Sequence, residues 1–87
     1  MFYSKFKKHV EALLFSSGNP VSTRKMAQIL DIHEQHVELL IDQLIVDMMD
    51  ENRGVFIVKV AAGYQMCTKP ELATVVKQLA QVQDAKL

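Results

Sequence analysis

Cysteine and histidine are the side chains most able to do chemistry in a short chain, and this one has only Cys67, His9, His33 and His36. A nucleophilic thiol needs a base or a cation nearby to form its thiolate. Cys67 stands in the stretch YQMCTK with no histidine beside it, which reads as a small, half-buried strand residue. His33 and His36 lie three apart near a helix start, with Glu34 between them. A metal centre needs three or four convergent ligands, and His9 belongs to a different helix, so surface or capping roles are expected for the pair. Gly18, Gly54 and Gly63 are isolated, so no glycine loop is available to cradle a phosphate. The expectation is a non-enzyme with no catalytic residue, no metal site and no cofactor.

The bulk properties fit a globular domain. The chain has 87 residues, 49% of them hydrophobic and 23% charged, a mixture that can build a core rather than stay unfolded. No apolar run approaches the ~20 residues of a membrane span, and the N-terminus MFYSKFKKH lacks the apolar stretch and cleavage site of a secretion signal. A single cysteine suits a reducing compartment. A soluble cytoplasmic domain is expected.

Ten basic and ten acidic side chains cancel, yet they are unevenly placed. Residues 1–25 carry Lys5, Lys7, Lys8, Arg24 and Lys25 against Glu11 alone. Residues 31–51 carry Asp31, Glu34, Glu38, Asp42, Asp47, Asp50 and Glu51 with no Lys or Arg.

These charges sit on a readable series of elements. Tyr3, Phe6, Val10, Leu13 and Leu14 recur at helical spacing over residues 3–17, with Gly18 suited to the C′ position and Pro20 to ending the helix. Ser22 is a good N-cap for a short helix over residues 23–30. A third helix spans about residues 34–51, its core stripe formed by Val37, Leu40, Ile41, Leu44 and Met48. The β-branched and aromatic run VFIVKV (55–60) predicts a strand; Ala62-Gly63 turns the chain, and Tyr64 to Cys67 returns. Thr68 and Glu71 have capping-box spacing, with Pro70 in the first turn of a last helix to about Val82. That helix shows Leu72, Val75, Val76, Leu79 and Ala80 on one side. The order α-α-α-β-β-α predicts a winged helix-turn-helix domain over residues 1–82 and a polar, frayed tail over 83–87.

Winged helices commonly meet DNA, and a DNA-binding transcription regulator is the alternative to a protein-association module. A reader of DNA needs Lys and Arg on phosphates, and Arg, Lys, Asn or Gln at base edges. Helix three instead offers Glu34, Gln35, Glu38, Asp42, Gln43, Asp47, Asp50 and Glu51, carboxylates that oppose approach to a polyanion. The wing tip Ala61-Ala62-Gly63-Tyr64 has no basic side chain. Lys5, Lys7 and Lys8 offer at most a weak non-specific phosphate contact.

Apolar residues in the wrong places point to protein association. At 100° per residue, Leu39 and Val46 fall roughly opposite the core stripe of helix three, Met49 a third of a turn from it and Ile45 at its edge. Phe15 points away from the stripe of helix one, and Phe2 and Tyr3 add aromatic surface. A helix apolar on both sides is buried on both or belongs to an interface. The expected interface residues are Leu39, Val46 and Met49, followed by Phe2, Tyr3 and Tyr64. The hairpin is expected to brace helices three and four.

The segments EALLFSSGNPVS (11–22), ILDIHEQHVELLIDQL (29–44) and RGVFIVKVAAGYQMCTKPEL (53–72), in this order and spacing, resemble the N-terminal domain of the bacterial segregation and condensation protein B family. The resemblance covers nearly all of residues 10–80. It implies a homodimerising accessory subunit that binds the kleisin, segregation and condensation protein A. Through the kleisin it implies work with a structural-maintenance-of-chromosomes ATPase in chromosome condensation and segregation, at the nucleoid. The family implies a winged-helix pair, and this chain has length for the first alone, as a fragment or a shortened relative. It carries over no catalytic residues. His33 stands where family members commonly have a helix-capping Ser or Thr, so a weaker cap is expected there.

Overall fold

The β-branched run at 55–60 pairs with the return segment as expected: β1 (Val55–Val60) and β2 (Gly63–Thr68) form a two-stranded antiparallel hairpin with Val55 opposite Thr68 and Val60 opposite Gly63. Ahead of it come α1 (Lys7–Ser16), α2 (Thr23–Leu30) and α3 (Glu34–Asp47), and behind it α4 (Ala73–Lys86). A computed structural model describes the backbone of residues 2–86 and the side chains of residues 3–82. The architecture is a winged helix-turn-helix.

The core lies where α1, α2, α3 and β1 meet. Val10, Leu14, Met26, Val37, Leu40, Ile41, Leu44, Met48 and Ile57 are buried in it, with Phe6, Leu13, Leu30, Ile32, Phe56, Tyr64 and Met66 packed around them. The expected stripe of α3 is the inner face of that helix. Ser22 caps α2: its Oγ accepts the Lys25 N–H at 3.0 Å. The α2–α3 turn uses Asp31 at φ 55°, a conformation that Asp tolerates better than most side chains. His33 opens α3 with no side-chain hydrogen bond to the helix, in line with the weaker cap expected there.

The hairpin is tied into the body through its turn. Tyr64 N–H donates to the Val21 carbonyl at 2.9 Å and Val21 N–H to the Tyr64 carbonyl at 2.8 Å, a bridge outside the two strands. Gly63 makes the bridge possible. Its φ is +141°, and a Cβ there would stand 2.2 Å from the Val21 carbonyl oxygen.

Four local expectations are corrected. Residues 2–6 form a 3-10 helix before α1 instead of its first turn. Gly18 takes no left-handed conformation: Ser17 ends α1 in an extended conformation, and its Oγ donates to the Asn19 carbonyl at 2.6 Å, closing the turn instead. α3 ends at Asp47 rather than at residue 51, the next residues being turn. Thr68 does not cap the last helix, because it pairs with Val55 in the sheet. The cap position falls on Lys69, followed by a 3-10 turn over Pro70–Leu72.

α4 departs most from the reading of the sequence. Leu72, at its root, is half-buried beside Gly54, but every residue from Ala73 to Val82 is exposed. The hairpin braces α3 and does not cover α4. The helix continues past Val82 to Lys86, while the side chains of 83–87, and with them the expected tail, lie outside the described residues.

Candidate protein-interaction surface

α3 has two apolar faces because its sequence has two apolar stripes. Five residues, Val37, Leu40, Ile41, Leu44 and Met48, point inward; opposite them Leu39 is 49% and Val46 66% exposed, and Met49, in the turn after the helix, is 73% exposed. Leu39 and Val46 are where the spacing puts them, whereas Met49 falls in the turn beyond the end of α3. Leu39 and Val46 line one shallow hollow with Lys7, Asp42, Gln43 and Asp47. Met49 lies around the helix from them, on a groove of about 400 Å³ formed with Ile45, Phe56, Ile57 and the chain at Lys69–Glu71.

Lys69 gives that groove a polar floor that sequence reading did not find. The residue is 9% exposed, and its Nζ donates to the Asp50 carbonyl at 2.7 Å. An ammonium has three donors, so a chain laid in the groove would find a cation as well as apolar walls. The signal was hidden because Lys69 looks like an ordinary surface lysine; only the pairing of Thr68 turns it inward.

The aromatic candidates divide. Tyr64 is half-buried against the core, its ring 6.0 Å from the Lys59 Nζ. It lines a hollow that also takes in Glu38 and Asp42. Since Asp42 lines the Leu39–Val46 hollow too, Tyr64 sits at the edge of the same surface. Tyr3 stacks on His36 at a centroid distance of 3.7 Å, one turn before Leu39 on α3. The side chain of Phe2 lies outside the described residues. Phe15, away from this surface, is 78% exposed.

The surroundings of α3 are acidic in space as in sequence. Glu34, Glu38, Asp42, Asp47, Asp50 and Glu51 are all exposed. Part of the basic N-terminal cluster is drawn onto them: Lys7 Nζ meets Asp47 Oδ2 at 2.6 Å. Arg53 reaches Glu11 at 3.8 Å. Both pairs are partly solvated and worth less than ~1 kcal/mol each, so they orient the N-terminal segment more than they hold the fold.

The residues first considered for chemistry have packing roles. Cys67 is half-buried opposite Phe56 in the hairpin. His36 is sandwiched between Tyr3 and the edge of His33, whose ring centroid is 6.1 Å away. Among the described residues no three His, Cys, Asp or Glu side chains group as metal ligands, and no helix is long and apolar enough to cross a membrane.

A relative from Acetivibrio thermocellus named segregation and condensation protein B is 39% identical over 80 residues, covering 91% of this chain and 40% of its own. Its namesake from Moorella thermoacetica is 40% identical over 73 residues, 84% of this chain and 37% of its own. The chain thus spans about two fifths of the length of the curated relatives it matches. Among solved structures, a dimer of the ScpB N-terminal domain complexed with a ScpA peptide superposes with a TM-score of 0.83 at 31% identity, covering 91% of this chain and 99% of that one. ScpB from Mycobacterium tuberculosis, at 21% identity and TM-score 0.84 over 93% of this chain and 51% of that one, shares the fold. The model of the family described as segregation and condensation complex subunit ScpB matches residues 8–87, and the chain belongs to that family.

Proposed function

We propose that this protein is a non-enzymatic accessory subunit of a bacterial condensin. In this reading it homodimerises and binds the kleisin subunit, segregation and condensation protein A, and through it serves a structural-maintenance-of-chromosomes ATPase in chromosome condensation and segregation. It acts in the cytoplasm, at the nucleoid. The observation that carries this is the match, over nearly the whole of both chains, to an N-terminal domain solved as a dimer with a ScpA peptide. A domain of this size that engages both a copy of itself and a peptide needs more than one adhesive surface. Two apolar faces outside the core, on α3 and on α4, meet that need.

The kleisin segment is assigned to the outer side of α3. Leu39 and Val46 are its centre, Met49 and its groove lie on one flank, and Tyr64 and the Tyr3–His36 stack lie on the others, with Phe2 the remaining candidate. Hollows flanking a helix suit a peptide with spaced apolar anchors. The carboxylates around them select a segment with basic residues beside those anchors and disfavour nucleic acid. The test is titration of the chain with a peptide from the central part of the kleisin. Saturable binding, weakened by L39D/V46D at unchanged fold, is expected; a peptide that binds the double variant as well as the parent rejects the assignment to α3.

A further inference from the structure

We infer that Lys69 is a specificity-determining residue of the groove beside Met49: it reads a carboxylate side chain that the kleisin segment lays there between apolar neighbours. This rests on the kleisin reading proposed above and names the chemistry that the segment must bring to one part of the surface.

Lys69 is fixed at the groove by its own backbone. Its N–H donates to the Gly54 carbonyl and its carbonyl accepts the Leu72 N–H, both at 2.9 Å. Among the described residues it is the one charged side chain that is buried, at 9% exposure. Burying a charge is unfavourable unless a counter-charge and hydrogen bonds offset it. The fold supplies Lys69 with little of either. Among the described residues its Nζ uses one of three donors, on the Asp50 carbonyl at 2.7 Å. The Asp50 carboxylate is engaged elsewhere, its Oδ1 accepting the Asn52 N–H at 2.8 Å. The two ion pairs among the described residues, Lys7–Asp47 and Arg53–Glu11, leave Lys69 out.

The rest of the groove says what kind of group belongs on that ammonium. Its walls are Ile45, Met48, Met49, Phe56 and Ile57, and methionine side chains adapt readily to the shape laid against them. Between such walls a carboxylate and an ammonium make a short, charge-assisted hydrogen bond. Glu51 and Glu71, exposed at the rim, oppose a run of acidic residues or a phosphate backbone. One acidic residue flanked by apolar ones satisfies both conditions. The neighbouring hollow has the opposite sign, since Asp42 and Asp47 border Leu39 and Val46. Met49 N–H donates to the Val46 carbonyl at 3.1 Å, so the groove begins one turn beyond that hollow. The segment is then basic beside Leu39 and Val46 and acidic beside Met49, and this polarity fixes the direction in which it crosses α3.

The experiment is calorimetric titration of the parent chain and of K69M with a central kleisin peptide. The titrations are repeated with peptides in which each Asp or Glu is replaced in turn by Asn or Gln. One replacement is expected to weaken binding to the parent by about 10- to 100-fold. The same replacement is expected to change nothing further in K69M, whose fold is checked by its thermal melt. Where K69M fails to fold, K69Q takes its place, because it keeps a donor for the Asp50 carbonyl and loses the charge. A peptide that binds the parent equally well after every replacement, or that contains no acidic residue, overturns the inference and leaves the kleisin reading standing. A replacement that weakens binding as much in the lysine variant as in the parent overturns the role of Lys69 in the same way. A parent chain that takes up no kleisin peptide overturns both.

Discussion

Leu39 and Leu40 are neighbours in sequence and opposites in consequence. Leu40 is fully buried, and Leu39 is 49% exposed. Truncating a fully buried leucine costs about 2–5 kcal/mol, because the transfer free energy is lost and a cavity is left. For a domain whose whole stability is about 5–15 kcal/mol, L40A should lose a large part of its urea midpoint. Leu39 and Val46 carry almost none of that burden, and L39D/V46D should unfold within ~0.5 kcal/mol of the parent. Its loss appears in binding. Burying a whole leucine or valine side chain yields about 1.5–3 kcal/mol. Covering the exposed half of Leu39 and the exposed two thirds of Val46 is therefore worth about 2 kcal/mol together, or about 30-fold in affinity. Desolvating two new carboxylates beside Asp42 and Asp47 raises the loss above ~100-fold. Urea titration followed by circular dichroism, and calorimetric titration with the kleisin peptide, read the two quantities separately. If L39D/V46D unfolds outright, those positions are structural and the two-faced reading of α3 is wrong. If it folds and binds normally, the outer face is not the kleisin site.

Three further outcomes follow from the same structure. G63A should destabilise by about 3–5 kcal/mol in urea, since the Cβ forces apart the two Val21–Tyr64 backbone hydrogen bonds and φ +141° strains any L side chain; a parent-like midpoint would show that the bridge is dispensable. S22A should cost about 1 kcal/mol by freeing the Lys25 N–H at the start of α2, read as a lower midpoint at unchanged m-value. Random duplex DNA should bind negligibly at physiological salt, and tight binding with a slope of several ions would favour the transcription-regulator alternative.

What could be read from the sequence was whatever one helix or one hairpin decides by itself. Val37, Leu40, Ile41, Leu44 and Met48 mark the inner face of α3 because five residues at helical spacing admit no other common side. Leu39 and Val46 are legible as their complement. Gly63 and Ser22 were legible from local backbone needs, a positive φ and a free N–H. In two of the misreadings a local signal met a competing partner, across the sheet for Thr68 and next door for Gly18. Thr68 has the spacing of a cap, but its pairing with Val55 holds it in the sheet and passes the position to Lys69. Gly18 is suited to a left-handed stop, but Ser17 closes that turn first. For α4 the spacing of Leu72, Val75, Leu79 and Val82 identifies a face that wants cover; periodicity is the same whether the cover is the molecule's own core or another molecule. The exposure of Val75, Leu79 and Val82 shows that the described core does not supply it.

The most direct test of the proposed role is the molar mass of the chain in solution, alone and with a central kleisin peptide added. A dimer that gains mass on adding the peptide is the predicted result. A chain that stays monomeric and takes up no peptide at concentrations well above the micromolar range would contradict it.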